Sequence, residues 1–423
     1  MELTRLRGFQ DLMGPEARAV RRVEECAREI VERHGFNELR IPLMERLKLY
    51  QRSSGETSDV VQKQMYLVQQ HDDAAEADAV ALRPEGTPGV IRAYIEAGLD
   101  RSDPEQRFYY SGPMLRYERP QKGRFREFNQ FGVEVFGRGD AAIDAELLIM
   151  IDELRQALNV ELEIQINSLG DVNCRPAFRD ALLEYGRAHW SELCDDCHQR
   201  LDRNPLRLLD CKIDVKLAEG APKSLDYLCE PCRVHFATVE RLLSGAEVRY
   251  VVNPRLVRGL DYYMRTAFEV VSSAVGSQSA VVAGGRYDGL VEALGGAALA
   301  GTGFAIGVER MALVLQASGI VAEGRPDAAL IALGEASLLA ASKLGADLRR
   351  RGLRVEMLSP ERGLKALMRR AGRLGARAAV IIGEDELARG VVQLRDLDAS
   401  SQREVALELV GRELEAARNS SPD

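Results

Sequence analysis

Two strand-like segments joined by a short cationic loop constrain the fold of this chain more than any other feature. The segments span residues 108–118 and 128–136, and Pro120 and Gly123 mark the loop between them. Along the second segment apolar and polar side chains alternate, as they do when one face of a strand packs on a core. We therefore expect an antiparallel strand pair within a sheet domain.

The second strand of this pair has a polar face that a ligand can cover. That face exposes the amide of Gln130 and the carboxylate of Glu134, and Gly132 between them should leave room for a ligand on the sheet. Cationic side chains surround it: Arg116 on the first strand and Arg119, Lys122, Arg124 and Arg126 in the loop. This arrangement suits a bound polyphosphate. The alternative is a solvated hairpin, which would leave Phe128 and Phe136 on that face uncovered.

Periodicity along the rest of the chain predicts further elements in three regions. Before the strand pair we expect a helix at 16–35 and a boundary strand at 39–43 that contains Pro42. After it we expect strands at 161–166, 248–252 and 262–271, a glycine-rich stretch at 283–307 and a helix at 309–317. Between them, a mostly helical segment holds six of the seven cysteines and is predicted to be an inserted domain.

The pattern changes after Gly324, where strands begin to alternate with helices. The predicted strands are 328–333, 353–358, 378–382 and 391–397, and the predicted helices are 336–351, 363–374 and 404–417. Such alternation is typical of an α/β domain with a largely parallel sheet. The expected domains are therefore a catalytic part at 1–170, an insertion at 171–247, a second catalytic part at 248–322 and an α/β domain at 326–423.

Composition excludes several classes of protein. No run reaches the roughly 20 apolar residues that span a bilayer, and the first residues lack the apolar core of a signal peptide. Seven cysteines, an odd number, argue against a secreted disulfide framework. We therefore expect a cytoplasmic protein. A net charge of −8 does not exclude RNA, because RNA contact needs only a local basic surface.

Several of these segments resemble motifs of one family. Residues 112–130 resemble motif 2 of class II aminoacyl-tRNA synthetases in its histidyl form, and 303–310 resemble motif 3. The region around Pro42 is similar to motif 1, the dimer-forming element. Segments 82–87, 256–263 and 283–290 are similar to sequences typical of the histidyl enzymes. The resemblance implies a catalytic α+β domain with a central antiparallel sheet flanked by helices, a helical insertion and a C-terminal α/β anticodon-binding domain.

The resemblance also implies an activity: histidine is activated with ATP and then transferred to the 3′ end of tRNA(His). Arg116 and Arg258 would hold the α-phosphate and the carboxylate, and Arg310 the γ-phosphate. Phe128 would stack on adenine with Arg124 nearby, and Mg²⁺ would bridge the outer phosphates. The residue types fit, because guanidinium groups stay charged and bond phosphate oxygens bidentately.

The residues expected to bind histidine offer acceptors for its ammonium group and partners for both ring nitrogens. Glu85, Thr87 and Gln130 can accept from the ammonium group, Glu134 can accept from the ring N–H, and a hydroxyl of Tyr263 or Tyr287 can donate to the other nitrogen. The full expected set is Glu85, Gly86, Thr87, Gln130, Glu134, Tyr262, Tyr263 and Tyr287. A lone residue of these types is more often structural, so the prediction rests on the set.

By the same resemblance, tRNA contacts are expected in two places. The motif 2 loop offers Arg119, Gln121 and Lys122, and the C-terminal domain offers Arg369 and Arg370 near Lys365 and Arg373. A solvated helix face explains any one of the latter equally well. The expected partners are tRNA(His), histidine, ATP and a second copy of the chain in a homodimer, with no DNA and no membrane.

Two cysteine pairs have metal-like spacing. Cys194 and Cys197 form one pair, and Cys229 and Cys232 form the other. One interpretation is a single structural zinc site built from all four. Paired free thiols are the other, because the gap between the pairs is long and the family does not need zinc for catalysis.

Two functions compete with the synthetase. One is a catalytically inactive class II paralogue that serves as the histidine-sensing regulatory subunit of ATP phosphoribosyltransferase. Such paralogues tend to lose the phosphate-binding arginines and the C-terminal domain, which this sequence retains. The other is a nonspecific RNA-binding module, which does not explain why Gln130 and Glu134 share a strand face beside an arginine-rich loop.

Overall fold

The computed structural model describes residues 3–54, 63–69, 79–260, 262–276, 280–319, 324–358 and 363–420. The chain divides into two compact units, 1–321 and 322–423. Residue 322, where the second catalytic part was expected to end, lies outside the described residues.

An eight-stranded mixed sheet forms the centre of the first unit. Its strands, in spatial order, are β1 (Asn37–Glu38), β5 (Gln106–Leu115), β6 (Glu127–Phe136), β11 (Gly301–Gly307), β10 (Ala280–Arg286), β9 (Met264–Val271), β7 (Glu163–Ser168) and β8 (Tyr250–Val252). The six inner strands pair antiparallel, and each edge strand pairs parallel with its neighbour. A smaller sheet contains β2 (Met44–Arg46), β4 (Val80–Leu82) and β3 (Leu67–Val68).

The predicted strand pair forms as β5 and β6, and its register places the site. Tyr110 lies opposite Gly132, and Phe108 lies opposite Glu134. On its other side β6 pairs with β11, which brings Gly303 opposite Glu134. The functional face of β6 is thus continued across β11 and β10, two strands that lie far from it in sequence.

Helices cover the sheet because their apolar residues recur at helical spacing. Those of the first unit are α1 (Pro15–Arg33), α2 (Leu47–Ser54), α3 (Thr87–Glu96), α4 (Leu99–Ser102), α5 (Ala141–Leu158), α6 (Arg175–Ala188), α7 (Asp195–Arg200), α8 (Val215–Gly220), α9 (Glu230–Gly245), α10 (Leu290–Ala293) and α11 (Val308–Ala317). Helices α1, α5, α9 and α11 share one apolar core with the sheet. The segment predicted as an insertion contains helices and no strand, but α9 at its end buries Phe236, Val239 and Leu243 in that shared core.

The second unit is an α/β fold with a five-stranded sheet. Its strands are β13 (Val355–Met357), β12 (Ala328–Leu333), β14 (Ala378–Gly383), β15 (Val391–Asp396) and β16 (Gln402–Ala406), and its helices are α12 (Glu335–Arg350), α13 (Leu364–Arg373), α14 (Glu384–Ala388) and α15 (Val410–Ser420). The first three strands are parallel, and the last two add antiparallel. Apolar cores lie on both faces of this sheet. The predicted fold class is confirmed.

Two secondary-structure predictions were wrong. Residues 39–43 form no strand, because the carbonyl of Ile41 accepts from the Arg83 guanidinium (2.7 Å) and Pro42 has no N–H to donate. The helix predicted at 404–417 begins only at Val410, because 402–406 pair with β15 as an added strand. Among the described residues no helix is long and apolar enough to cross a membrane.

Candidate active site

A cavity of about 540 Å³ lies over the face formed by β6, β11 and β10. Arg116, Arg258 and Arg310 all line it, although they are far apart in the sequence. Arg124 and Phe128 line it as well. The three arginines predicted to be catalytic therefore share one cavity.

Backbone carbonyls hold two of the arginines in place. Arg116 donates from Nε to the carbonyl of Pro84 (2.8 Å), and its guanidinium lies 5.2 Å from the ring centre of Phe128. Arg310 donates to the carbonyls of Gly123 (2.8 Å) and Ala280 (2.9 Å). These carbonyls are neutral and leave the positive charge of each guanidinium uncompensated, so both arginines can still bind an anion.

The electrostatics of the cavity favour an anion. Burial, together with the nearby Arg258, holds the pKa of Arg116 below its ordinary value. Burial and Arg116 lower the pKa of Arg310, and burial with Arg310 and Arg116 lowers that of Arg124. Burial and the mutual repulsion of these three arginines both disfavour their charged forms, and a polyphosphate bound between them would relieve that repulsion.

Arg258 is held differently, by an acid that was not predicted. Its guanidinium forms an ion pair with Glu269 of β9 and lies 5.3 Å from the ring centre of Tyr263. Burial lowers the pKa of Arg258, but Glu269 and the tyrosines outweigh it and raise it overall. The pair orients the guanidinium at the cavity wall.

Two buried polar atoms at this wall have no hydrogen-bond partner among the described residues. They are Nε of Arg258 and Oε1 of Gln130. Buried polar atoms in native proteins are nearly always satisfied, so an unsatisfied one calls for an explanation. A bound ligand that offers an acceptor to Arg258 and a donor to Gln130 supplies it.

A second group of side chains surrounds Glu134. Its carboxyl accepts hydrogen bonds from the hydroxyl of Thr87 (2.6 Å) and from that of Tyr287. Burial raises the pKa of Glu134 to about 8, against the opposing effect of these two donors, and Glu85 raises it further. Glu85 itself accepts from the hydroxyl of Tyr262 (3.0 Å). The cavity wall therefore includes two carboxyl groups that accept hydrogen bonds from neighbouring hydroxyls.

The expected role of Gly132 was wrong. The ring of Tyr110 occupies the space above it, since a Cβ on Gly132 would lie 2.3 Å from the Tyr110 Cζ. A Cβ on Gly86 would likewise lie 2.1 Å from Cε2 of the same ring. The two glycines make room for a buried aromatic ring. That ring also forms part of the cavity wall.

The structure brings six of the eight residues predicted for histidine to the cavity wall: Glu85, Thr87, Gln130, Glu134, Tyr263 and Tyr287. The other two, Gly86 and Tyr262, support that wall from behind through Tyr110 and Glu85. Because the Tyr287 hydroxyl already donates to Glu134, Tyr263 is the better candidate of the two tyrosines to donate to a ring nitrogen.

Sequence reasoning missed several residues of this cavity. Glu118 forms an ion pair with Arg124. Glu309 accepts hydrogen bonds from the backbone N–H (2.9 Å) and the side-chain amide (2.8 Å) of Asn129. These two bonds connect the start of α11 to β6. Asp210 and Lys212 reach the cavity from the helical segment. Only Glu118 carried a signal, since it shares a strand face with Arg116; the others depend on long-range contacts.

The residues predicted to contact tRNA lie on the surface. Arg119, Gln121 and Lys122 are exposed in the loop between β5 and β6. In the second unit, Arg369 and Arg370 are exposed on α13, and Arg370 lies 3.7 Å from Glu356. Their placement is compatible with a large polyanionic partner.

The single four-cysteine zinc site was wrong in its grouping. Cys194 and Cys197 lie with Cys211 and Asp214, whereas Cys229 and Cys232 lie with Cys174 and Asp171. The pairs separate because they begin different helices, α7 and α9, each of which packs in its own small cluster.

Comparison with known proteins gives consistent matches. The family model described as histidyl-tRNA synthetase matches residues 8–311, and the one described as anticodon binding domain matches 327–416. A histidine–tRNA ligase from Syntrophotalea carbinolica is 45% identical over 411 residues, which cover 96% of this chain and 97% of that protein. One from Geobacter sulfurreducens is 47% identical over 408 residues, with the same coverage of 96% and 97%.

A solved structure agrees with these relatives. The crystal structure of apo histidyl-tRNA synthetase from S. aureus has 31% sequence identity and a TM-score of 0.78, and the match covers 98% of this chain and 100% of that one. The resemblance seen in the motifs is thus confirmed over nearly the whole length. On these matches, the chain belongs to the histidyl-tRNA synthetase family, within the class II aminoacyl-tRNA synthetases.

Proposed function

We propose that this chain is a histidine–tRNA ligase that forms histidyl-adenylate and pyrophosphate from histidine and ATP, then esterifies tRNA(His). The observation that carries the proposal is the convergence of Arg116, Arg258 and Arg310 on one cavity that Glu85 and Glu134 also line. The first group suits phosphates and a carboxylate. The second suits an ammonium group and an imidazole.

In the first step an oxygen of the histidine carboxylate bonds to the α-phosphorus of ATP. The bond from that phosphorus to the bridging oxygen breaks, and pyrophosphate leaves with the electron pair. Negative charge grows on the α-phosphate oxygens, and Arg116 and Arg258 are placed to stabilise it, while Arg310 holds the γ-phosphate. Phe128, already against Arg116, offers its ring to adenine with Arg124 beside it.

Recognition of histidine uses other polar groups that line the same cavity. The ammonium group donates to Glu85, Thr87 and Gln130. The Oε1 atom of Gln130 has no hydrogen-bond partner among the described residues. The imidazole lies against Glu134 on one side and Tyr263 on the other. A pocket that pairs both ring nitrogens rejects apolar analogues, because they would leave its buried polar groups unpaired.

Mg²⁺ fits the donor set of this cavity. The carboxylates of Glu118 and Glu269 line it and are hard oxygen donors of the kind that Mg²⁺ takes together with phosphates. When bound, the ion neutralises charge on the outer phosphates. Both carboxylates otherwise pair with arginines, Glu118 with Arg124 and Glu269 with Arg258.

In the second step a hydroxyl oxygen of the terminal tRNA ribose bonds to the carbonyl carbon of the adenylate, the bond from that carbon to the phosphate oxygen breaks, and AMP leaves with the electron pair while the hydroxyl proton is released. No protein nucleophile is needed. The loop residues Arg119, Gln121 and Lys122 are candidates to contact the acceptor end, and Arg369 and Arg370 are candidates to contact phosphates of the anticodon arm. Their exposure and positive or polar character support these roles.

Pyrophosphate exchange tests the proposed activity. We expect labelled pyrophosphate to exchange into ATP with histidine and with none of the other common amino acids. The regulatory paralogue predicts histidine binding without exchange, so the assay also separates the two functions. Curated ligases of 45–47% identity over nearly the full length, with retained arginines and a C-terminal unit, favour the enzyme.

Glu134→Gln should weaken histidine recognition specifically. Hydrogen bonds to charged groups contribute about 1.5–3 kcal/mol, so above pH 8, where Glu134 is ionised, KM for histidine should rise about 10- to 100-fold in the variant, whereas KM for ATP should change little. With the wild type, histidine affinity should increase as pH rises through about 8, where Glu134 loses its proton and its carboxylate becomes a stronger acceptor for the ring N–H, and the variant should lack this step. Exchange kinetics between pH 6.5 and 9 would measure both, and an unchanged KM for histidine would contradict the assignment.

The same carboxyl affects stability in a defined direction. Its folded-state pKa of about 8 lies above the ordinary 4.5, so the folded protein keeps a proton that the unfolded chain releases. The stability it contributes is therefore present below about pH 4.5 and is lost as pH rises through 8.

Removal of the second unit should separate the two steps. A chain ending at Gly324 keeps every residue of the cavity and should retain exchange. Its kcat/KM for charging tRNA should fall by roughly 100-fold, the equivalent of about 2.8 kcal/mol of lost binding. Full charging by the truncated chain would contradict the assignment of the second unit to anticodon binding.

We further propose that the protein works in the cytoplasm as a homodimer. None of the seven cysteines forms a disulfide, as expected in a reducing compartment. The similarity of the region around Pro42 to motif 1 supports the dimer. The exposed side chains of Leu43 and Met44 would be buried at its interface. Sedimentation analysis would report the assembly.

A further inference from the structure

Six cysteines lie in two clusters that the proposed activity does not use. The first consists of Asp171, Cys174, Cys229 and Cys232, and the second of Cys194, Cys197, Cys211 and Asp214. Each cluster contains one Cys-x-x-Cys pair. The other two members of each cluster, one aspartate and one cysteine, are likewise separated by two residues in the sequence. In each, four potential ligand atoms lie within 4.8 Å of one another.

The distances inside the clusters match a tetrahedron around a zinc ion. With Zn–S of about 2.3 Å and Zn–O of about 2.1 Å, tetrahedral edges are about 3.8 Å between sulfurs and about 3.6 Å between sulfur and oxygen. Sγ of Cys194 lies 3.7 Å from Sγ of Cys211. Oδ1 of Asp171 lies 3.6 Å from Sγ of Cys174 and 3.7 Å from that of Cys229. A disulfide needs about 2.05 Å between sulfurs, so Cys194 and Cys211 are not joined by one, and their spacing can accommodate an ion.

Neighbouring groups orient both carboxylates. Asp214 accepts from the backbone N–H of Cys194 at 3.1 Å, and Asp171 accepts from that of Asn173 (3.0 Å) and from the Arg265 guanidinium (3.4 Å). Such bonds fix a carboxylate as a metal ligand, since they hold its free lone pairs toward the ion.

We propose that each cluster binds one structural zinc ion through three thiolates and one carboxylate. Four protein ligands close the coordination shell, as in structural rather than catalytic zinc sites. On binding, the three thiols of a site release their protons, and the sulfurs donate electron pairs to the ion. The chemistry is that of a borderline-soft divalent cation, which thiolates favour over Mg²⁺ or Ca²⁺.

Both sites stabilise the helical segment at 171–247, part of which lines the active-site cavity. In the second cluster Cys211 stands between Asp210 and Lys212, which line that cavity. In the first, Asp171 pairs with Arg265, two residues beyond Tyr263. The ions thus fix two segments that approach the substrates.

Metal content of the full-length chain tests the proposal. Protein purified from zinc-sufficient medium should contain about two zinc ions per chain by mass spectrometry, one for each cluster. Cys197→Ser and Cys232→Ser should each lose about one ion, and Cys26→Ser, which alters the remaining cysteine in α1, should keep both. Metal-free wild-type protein, or a Cys197→Ser variant with unchanged zinc, would overturn it.

Cobalt provides a measurement on the wild-type chain that does not depend on a variant folding. Protein made in zinc-depleted medium with cobalt should show thiolate-to-cobalt charge transfer and the intense visible bands of tetrahedral cobalt, and zinc should abolish both. Octahedral cobalt spectra, or bound iron with sulfide in place of zinc, would refute the assigned ion and ligand set.

Discussion

Arg258→Ala should reduce histidine-dependent pyrophosphate exchange by about 10²- to 10³-fold in kcat, or about 2.7–4 kcal/mol, the usual cost of a lost charge-stabilising donor. Arg258 lines the cavity, is fixed by Glu269 and carries an Nε with no partner among the described residues. Its charge is therefore positioned before substrates arrive, which is the condition for strong stabilisation of a transition state.

A matched control lies three residues away. Arg255 is exposed and contacts Glu219 at 3.5 Å, outside the cavity, so Arg255→Ala should leave exchange within about twofold because exposed pairs contribute little. Arg258→Lys should recover only part of the activity, since a lysine cannot form a bidentate contact. Near-normal exchange by a folded Arg258→Ala protein would remove this residue from the catalytic set.

Asp144→Ala should cost about 3–5 kcal/mol in the free energy of unfolding, because it removes a fully buried carboxylate from the buried guanidinium of Arg286 and leaves that group with the more exposed Asp288 as its acidic partner. Asp144 and Arg286 have fully buried side chains joined by hydrogen bonds of 2.7 and 3.2 Å, and His235 bonds the same carboxylate at 2.7 Å. This network links α5, β10 and α9 around the apolar core, so its loss should weaken the whole first unit.

Urea denaturation followed by fluorescence of the single tryptophan, Trp190, reports on that unit. The control is Glu153→Ala on the same helix, whose half-exposed pairing with His34 should contribute less than about 1 kcal/mol. Combining Asp144→Ala with Arg286→Met should recover part of the loss. A single-variant cost below that of Glu153→Ala would contradict a buried charge network.

The pH dependence of this network follows from the pKa of Asp144. Burial raises that pKa, but the hydrogen bond from His235 and the charge of Arg286 outweigh it and hold it below the ordinary 3.8. The stabilisation is therefore complete above pH 3.8 and is lost as pH falls toward the lower folded-state pKa. Asp144→Ala should flatten acid unfolding in that range.

Local patterns in the sequence predicted the parts of the fold that depend on local physics. Helix α1 follows from the spacing of Val23, Ile30 and their apolar neighbours, and β12 follows from an uninterrupted apolar run. The glycine-rich stretch was harder, because β10 and β11 contain too many small residues to read as strands. Their pairing with β9 and β6 decides their conformation.

The site could be anticipated in its residue types but not in its contacts. Motifs pointed to Arg116, Arg258 and Arg310, yet nothing local shows that Glu269 fixes Arg258 or that Tyr110 fills the space over Gly132. The cysteine pairs were recognised, but their partners Asp171 and Asp214 were not, since those contacts depend on how helices of the insertion meet. Register and long-range packing, not side-chain chemistry, limited the prediction.

We propose that three guanidinium groups bind the phosphates and the carboxylate of one pair of substrates. A crystal structure of the chain with ATP and histidinol tests it most directly. We expect Arg116 and Arg258 within about 3 Å of α-phosphate oxygens or the reacting group, Arg310 equally close to the γ-phosphate, and the imidazole against Glu134. A nucleotide bound away from these arginines, or an imidazole remote from Glu134, would contradict the account.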